Sequence, residues 1–194
     1  MTSTSPKPAG WSAIRARLAT LEKPALLSLL KELHDAADGN RDLLRARCLR
    51  DPAGAPDAQL LEKYRRRIVD QFFPARGFGK LKLGEARQAV RDYRKATGDE
   101  AGTRDLLLTY VEQGTAFTCE YGDITESFYN SLESAAAELQ RLLQRAGAPA
   151  YAPLQERTQK VAASTSNIGW GFGDYMRGWA DELETTFGPE TPSP

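Results

Sequence analysis

Apolar residues recur at intervals of three and four positions along almost the whole chain, which is the period of an amphipathic α-helix. The longest such stripe consists of Phe128, Leu132, Ala135, Leu139, Leu142 and Leu143. No segment alternates apolar and polar residues with β-branched enrichment, as the strand of a half-buried sheet would. The pattern therefore predicts an all-α fold, an irregular helical bundle of stacked antiparallel hairpins with eight or nine helices.

Proline and glycine clusters divide this helical pattern into parts. The segment DPAGAPD has the composition of a turn or linker, and it is the one internal boundary that we predict. The predicted parts are a disordered N-terminus at 1–10, a single helical domain at 11–187 made of an N-terminal hairpin (11–50) and a main bundle (57–187), and a disordered tail at 188–194.

Side chains that cap helices give more specific predictions. Asn40 is expected to cap a short third helix that turns Leu43, Leu44 and Leu49 inward. Asp123 and Glu126 have the D-x-x-E spacing of a capping box, in which a carboxylate accepts from the first free backbone N–H groups. We therefore expect a long helix to begin directly after Asp123.

Composition bears on the compartment and on some kinds of chemistry. No apolar run approaches the ~20 residues that span a bilayer, and the first residues lack the apolar core of a secretory signal. We expect a cytoplasmic protein with no membrane contact, in which Cys48 and Cys119 stay reduced. His34 is the only histidine, which disfavours His-based metal sites and Ser-His or Cys-His catalysis.

The formal net charge of zero hides two blocks of opposite sign. Between Leu61 and Thr97 the sequence has eleven Lys and Arg against four Asp and Glu, and between Gly98 and Glu138 it has one Arg against nine acids. The blocks either pair with each other or present different faces to partners. We favour mutual pairing, and both interpretations stay open.

The segment Tyr64 to Gly84 is the best candidate for a binding face. It interleaves aromatic rings with the cations Arg65, Arg66, Arg67, Arg76, Lys80 and Lys82. Such a face suits an acidic protein surface or nucleic acid, although a pI near 6.6 weighs against an unassisted nucleic-acid binder. Phe72 lies on the apolar stripe and is predicted to be core. The RGFGK sequence is not a phosphate loop, because a helix and not a strand precedes it.

A second segment, Tyr110 to Asn130, contains clustered carboxylates and tyrosines. Glu112, Glu120 and Asp123, with Asp174 further along, are the weak candidates for a general acid/base pair or a metal-assisted site. Asp123 has a competing role in the capping box and Glu112 could meet the basic block, so we predict neither a metal nor a cofactor. Tyr121 is a candidate binding residue.

A third segment, Ser164 to Trp179, combines closely spaced glycines with two tryptophans. Glycine permits positive φ or a close approach of another segment. Trp170 is a candidate binding residue, and together with Phe172 it either plugs the core or lines a pocket with Asp174. We favour the plug.

Three motifs from these segments occur in a recognisable order: FFPARGFGKLKLGEARQAVRDY, YVEQGTAFTCEYGDITESFYNSLES and SNIGWGFGDYM. The succession resembles a family of bacterial proteins catalogued only as a domain of unknown function. The similarity covers roughly Leu60 to Trp179. It implies a helical domain and a bacterial origin, and it implies no activity and no catalytic residues.

The leading functional hypothesis is a non-enzymatic binding or adaptor module that uses the basic segment on an acidic protein or nucleic acid. One alternative is a carboxylate-dependent, metal-assisted enzyme of unknown substrate. Another is a structural homodimer that forms through a self-complementary apolar stripe.

Overall fold

The computed structural model describes residues 10–50, 57–165, 168–169 and 171–188. Within these residues it contains ten helices and no strand, and nine of the helices have at least seven residues. The prediction of an all-α helical bundle is confirmed. The predicted linker at 51–56, the N-terminus at 1–9 and the tail at 189–194 lie outside the described residues.

The helices follow one another with short connections. The N-terminal three are α1 (Trp11–Leu18), α2 (Lys23–Ala36) and α3 (Asp38–Cys48). The remaining helices are α4 (Ala58–Phe72), α5 (Leu83–Thr97), α6 (Glu100–Tyr121), α7 (Glu126–Ala146), α8 (Ala148–Tyr151), α9 (Gln155–Ser164) and α10 (Phe172–Phe187).

Several helix ends follow directly from local chemistry. The Asp57 carboxylate caps α4 by accepting from the Gln59 N–H at 2.8 Å, and Asp99 caps α6 by accepting from the Ala101 N–H at 3.0 Å. Gly98 ends α5 in the left-handed conformation at φ 67°, which glycine adopts without steric cost.

Helix α6 is the centre of the fold. It contacts α4, α5, α7 and α9. All residues from Leu106 to Val111 are buried, and the exposed residues of the helix lie towards its two ends. Gly114 allows α7 to approach closely, because a Cβ at this position would lie 2.3 Å from Leu132 Cδ2. The core is therefore a layer of helices wrapped around α6.

The N-terminal hairpin, defined here as α1, α2 and α3, is attached to this body mainly through α3. Helices α1 and α2, both described in full, contain no buried residue. Helix α3 buries Ala46 and Asp42, and the Asp42 carboxylate accepts from Tyr64 Oη at 2.6 Å and from Lys63 Nζ at 2.7 Å. A buried carboxylate with partners on α4 thus holds the hairpin in place.

Three local predictions are wrong. Helix α3 begins before Asn40, whose side chain instead donates to the Leu33 carbonyl at 2.7 Å. Leu43 and Leu49 are 39 % and 61 % exposed, because α3 turns its Asp42–Ala46 side to the body.

The predicted capping box is the third. Helix α7 has Thr125 at its N-cap, two residues later than expected, and Thr125 makes no side-chain capping bond. Asp123 is placed in the preceding loop, where it accepts from Tyr129 Oη at 3.2 Å. The carboxylate is used by a tyrosine of the first turn instead of by backbone N–H groups.

Truncation of a side chain of the α7 stripe tests this core. Leu139 is fully buried, so Leu139→Ala is expected to lower the free energy of unfolding by about 2–5 kcal/mol in chemical denaturation. Gln144→Ala, at an exposed position of the same helix, should change it by less than about 0.5 kcal/mol. Equal losses in the two variants would contradict the described packing.

Candidate functional site

Segments from three parts of the sequence meet around the C-terminal end of α6. Phe78, from the α4–α5 loop, contacts Phe117 and Tyr121 in the last turn of α6. On another side of the same turn, Cys119 Sγ donates to the Ser164 carbonyl at 3.3 Å. Each of the three segments singled out in the sequence therefore contributes to this end of the bundle.

Exposed aromatic rings mark this end. The ring centroids of Phe78 and Tyr121 are 4.8 Å apart with an interplanar angle of 69°, and both rings contact Phe117. Phe78 is 61 % exposed and Tyr121 is 47 % exposed, whereas Phe117 is buried. Phe78 and Tyr121 belong to different segments of the sequence, and nothing in their spacing indicates that they touch.

The glycines of the RGFGK loop set the position of Phe78. Gly77 has φ 79°, which favours glycine. A Cβ at Gly79 would lie 2.1 Å from the Phe72 carbonyl oxygen, so only glycine lets the loop fold back against the end of α4. The Leu81 N–H then donates to the Gln71 carbonyl at 2.9 Å. Gly77 and Gly79 therefore let the α4–α5 loop turn and pack against the end of α4.

Cations of the same loop lie beside the Phe78 ring. Arg76, Lys80 and Lys82 are exposed and line, with Phe78, a shallow pocket of about 380 Å³. Lys82 Nζ pairs with Glu85 Oε1 at 2.7 Å. In the described part of the chain, Arg76 and Lys80 form no ion pair. We call the set Arg76, Phe78, Lys80, Lys82 and Tyr121 the aromatic–basic surface.

The three consecutive arginines of α4 do not line that pocket. Arg65 pairs with Glu62 and with Asp105 Oδ2, at 2.7 and 2.6 Å. Arg67 lies over the Tyr64 ring, 5.1 Å from its centroid, and pairs with Asp92. Arg66 is exposed on the outer side of α4.

The basic and acidic blocks pair with each other at several points. Arg65 to Asp105 and Arg87 to Glu138 are ion pairs of 2.6 Å between side chains of the two blocks. Arg157 of α9 joins this network by donating to Glu112 at 2.6 and 2.7 Å. The hydrogen bonds that Arg157 donates to the Glu112 carboxylate raise the pKa of the guanidinium further above its ordinary value.

The four carboxylates considered for catalysis have different partners, and that of Asp123 is Tyr129 Oη. Glu112 is held by Arg157, and Asp174 pairs with Arg177 within the first turn of α10. Glu120 lies eight residues beyond Glu112 on α6, a rise of about 12 Å, and its hydrogen bond raises the pKa of Tyr121. Among the described residues, no group of three or more His, Cys, Asp and Glu side chains is placed to hold a metal ion.

The glycine-rich segment before α10 is only partly described, and Trp170 lies outside the described residues. Phe172 is fully buried, with its ring centroid 5.0 Å from that of Tyr129. A Cβ at Gly173 would lie 2.4 Å from the Thr165 carbonyl oxygen. Phe172 thus anchors this segment in the core.

Comparisons of the chain with family models, with curated proteins and with solved structures give no match. The relationship to the bacterial family stays a prediction from the three motifs. In the described part of the chain, no helix combines the length and the apolar character needed to cross a membrane.

Substitution of Gly79 tests how the loop is positioned. Gly79→Ala is expected to lower the free energy of unfolding by about 1–3 kcal/mol, because the new Cβ would overlap the Phe72 carbonyl. Gly84→Ala, where a Cβ would meet nothing within 4 Å, should be neutral or slightly stabilising. Thermal unfolding of both variants checks this, and a tolerated Gly79→Ala would contradict the loop structure.

Proposed function

We propose that the chain is a non-enzymatic binding module whose aromatic–basic surface takes an acidic segment of a partner protein that carries an apolar anchor. The observation behind this proposal is the contact between two exposed rings, Phe78 and Tyr121, beside the cations Arg76 and Lys80 that form no ion pair among the described residues. The partner chemistry follows from what such a surface can offer.

The rings supply the affinity in this proposal. Aromatic residues and arginine carry most of the energy in protein interfaces, particularly where the ring is held rigidly by its neighbours. Phe78 and Tyr121 both rest on the buried ring of Phe117, at centroid distances of 5.4 and 4.6 Å. An apolar side chain of the partner that covers them would remove their surfaces from water without reorganising the loop.

The cations supply orientation and speed of association. Arg76 and Lys80 flank Phe78 and are exposed, so carboxylates on either side of an apolar anchor would meet them. Charges at the edge of an interface chiefly raise the association rate and exclude partners of the same sign. An acidic segment is therefore favoured over a neutral or basic one.

Single-stranded nucleic acid is the second candidate, since cations and exposed rings also suit phosphates and bases. One feature favours a protein instead. The 69° angle between Phe78 and Tyr121 leaves no pair of parallel ring faces for successive bases.

Charge reversal on the surface tests the proposal. Peptides selected from a random display library on the wild-type protein are expected to combine Asp or Glu with an aromatic or leucine anchor. Their dissociation constants should rise at least about tenfold, or about 1.4 kcal/mol, in Arg76→Glu/Lys80→Glu and also in Phe78→Ala. Fluorescence anisotropy measures both.

The matched control is Arg66→Glu/Lys95→Glu, which changes the net charge equally at two exposed positions outside the pocket. It should leave peptide binding nearly unchanged. Equal weakening in both double variants, or selection of basic peptides, would contradict the proposal. Tight, salt-sensitive binding of an oligothymidylate that Arg76→Glu/Lys80→Glu abolishes would favour the nucleic-acid candidate.

A further inference from the structure

The N-terminal hairpin exposes an unusual share of the apolar surface. Nine large hydrophobic side chains are exposed in the described part of the chain. Two of them, Phe78 and Tyr121, lie elsewhere, and the others belong to the hairpin or, in the case of Leu49, directly follow α3. The other seven are Trp11, Ile14, Leu27, Leu30, Leu33, Leu43 and Leu49. This surface is independent of the aromatic–basic surface.

Three of these leucines, Leu27, Leu30 and Leu33, lie along one side of α2 at helical spacing. Leu27 and Leu30 line a groove of about 730 Å³ between α2 and α3, to which Leu44, Cys48 and Leu49 also contribute. The groove has the form that an amphipathic helix fills when helical hairpins pack together.

The charges around the groove select among possible occupants. Its cations already have partners within the chain: Lys31 pairs with Asp35, Arg41 with Asp38, Arg45 with Asp57 and Lys63 with Asp42. The rim thus has no cation in surplus that would attract a strongly acidic helix. An occupant with a leucine stripe and balanced charges fits better, and α2 itself has these properties.

Helix α2 is also self-complementary. A twofold axis between Leu29 and Leu30 would place the leucine stripes of two antiparallel copies against each other.

The exposed area is adequate for such an association. Seven side chains that are roughly half exposed offer on the order of 500 Å² of apolar surface per chain. This is more than half of the about 800 Å² that each partner contributes to a stable interface, and polar side chains at the rim supply the rest.

We infer that the hairpin is a homodimerisation surface, on which α2 of a second copy lies antiparallel across the groove between α2 and α3. The two hairpins then form a four-helix arrangement that buries the leucines of α2, which no helix among the described residues of the same chain covers. The aromatic–basic surfaces of the two copies stay accessible, because they lie on a different part of each body.

Light scattering coupled to size exclusion tests the inference on the full chain. The wild type should approach twice the monomer mass of 21.4 kDa as its concentration rises. Leu30→Glu and, separately, Leu27→Glu should remain monomeric at the same concentrations, since each would bury carboxylates near the twofold axis. Neither position is buried in the monomer, so the helical circular dichroism and the thermal unfolding of the body should persist.

Ser28→Glu is the matched control, because Ser28 lies on the same helix about 200° around from Leu30 and is exposed. It should dimerise like the wild type. The Cys48 thiol, in the groove, should react more slowly with a thiol reagent as the protein concentration rises, while Cys119 should not change.

Three results would overturn the inference: a monomeric wild type throughout, a dimer that persists in both leucine variants, or equal dissociation in Ser28→Glu. Phe78→Ala, which removes part of the aromatic–basic surface, should still dimerise, and Leu30→Glu should still bind the selected peptides. Failure of one proposal is thereby distinguishable from failure of the other.

Discussion

The burial of α6 is the constraint on which the rest of the structure depends. Residues 106–111 of α6 are all buried, so this part of the helix must be covered on every side, and α4, α5, α7 and α9 do this. The cover ends at the last turn, where Phe117 is still buried and Tyr121 is exposed. The aromatic–basic surface exists because the loop containing Phe78 folds onto this end of α6 without closing over it.

The ionic network follows from the same arrangement. Asp105 and Glu112 lie where α6 meets α4 and α9, and Arg65 and Arg157 neutralise them across those contacts. Partly buried pairs of this kind are costly to break and add little when intact. Several charges of the basic and acidic blocks thus neutralise each other within the fold. The loop cations Arg76 and Lys80 remain exposed to solvent or to a partner.

The sequence predicts the helices well because each stripe repeats over several turns, as in α7. It fails where one residue can serve two roles. Asp123 fits a capping box, yet Tyr129 uses its carboxylate. Leu43 fits an inward position, yet the pairing of Asp42 with Tyr64 sets the side of α3 that faces the body. The contact between Phe78 and Tyr121 joins positions 43 residues apart, so no local pattern could indicate it.

The attachment of the hairpin through α3 has a consequence for how the molecule fluctuates. Separating α1 and α2 from the body of an isolated chain exposes little new apolar surface, because neither helix has a buried residue. The free energy of this local opening is therefore far below that of global unfolding. Backbone amides of α2 are therefore expected to exchange with solvent through that opening, and those of α6 only when the whole core opens. The chain thus combines a labile unit and a stable one, joined at the buried carboxylate of Asp42.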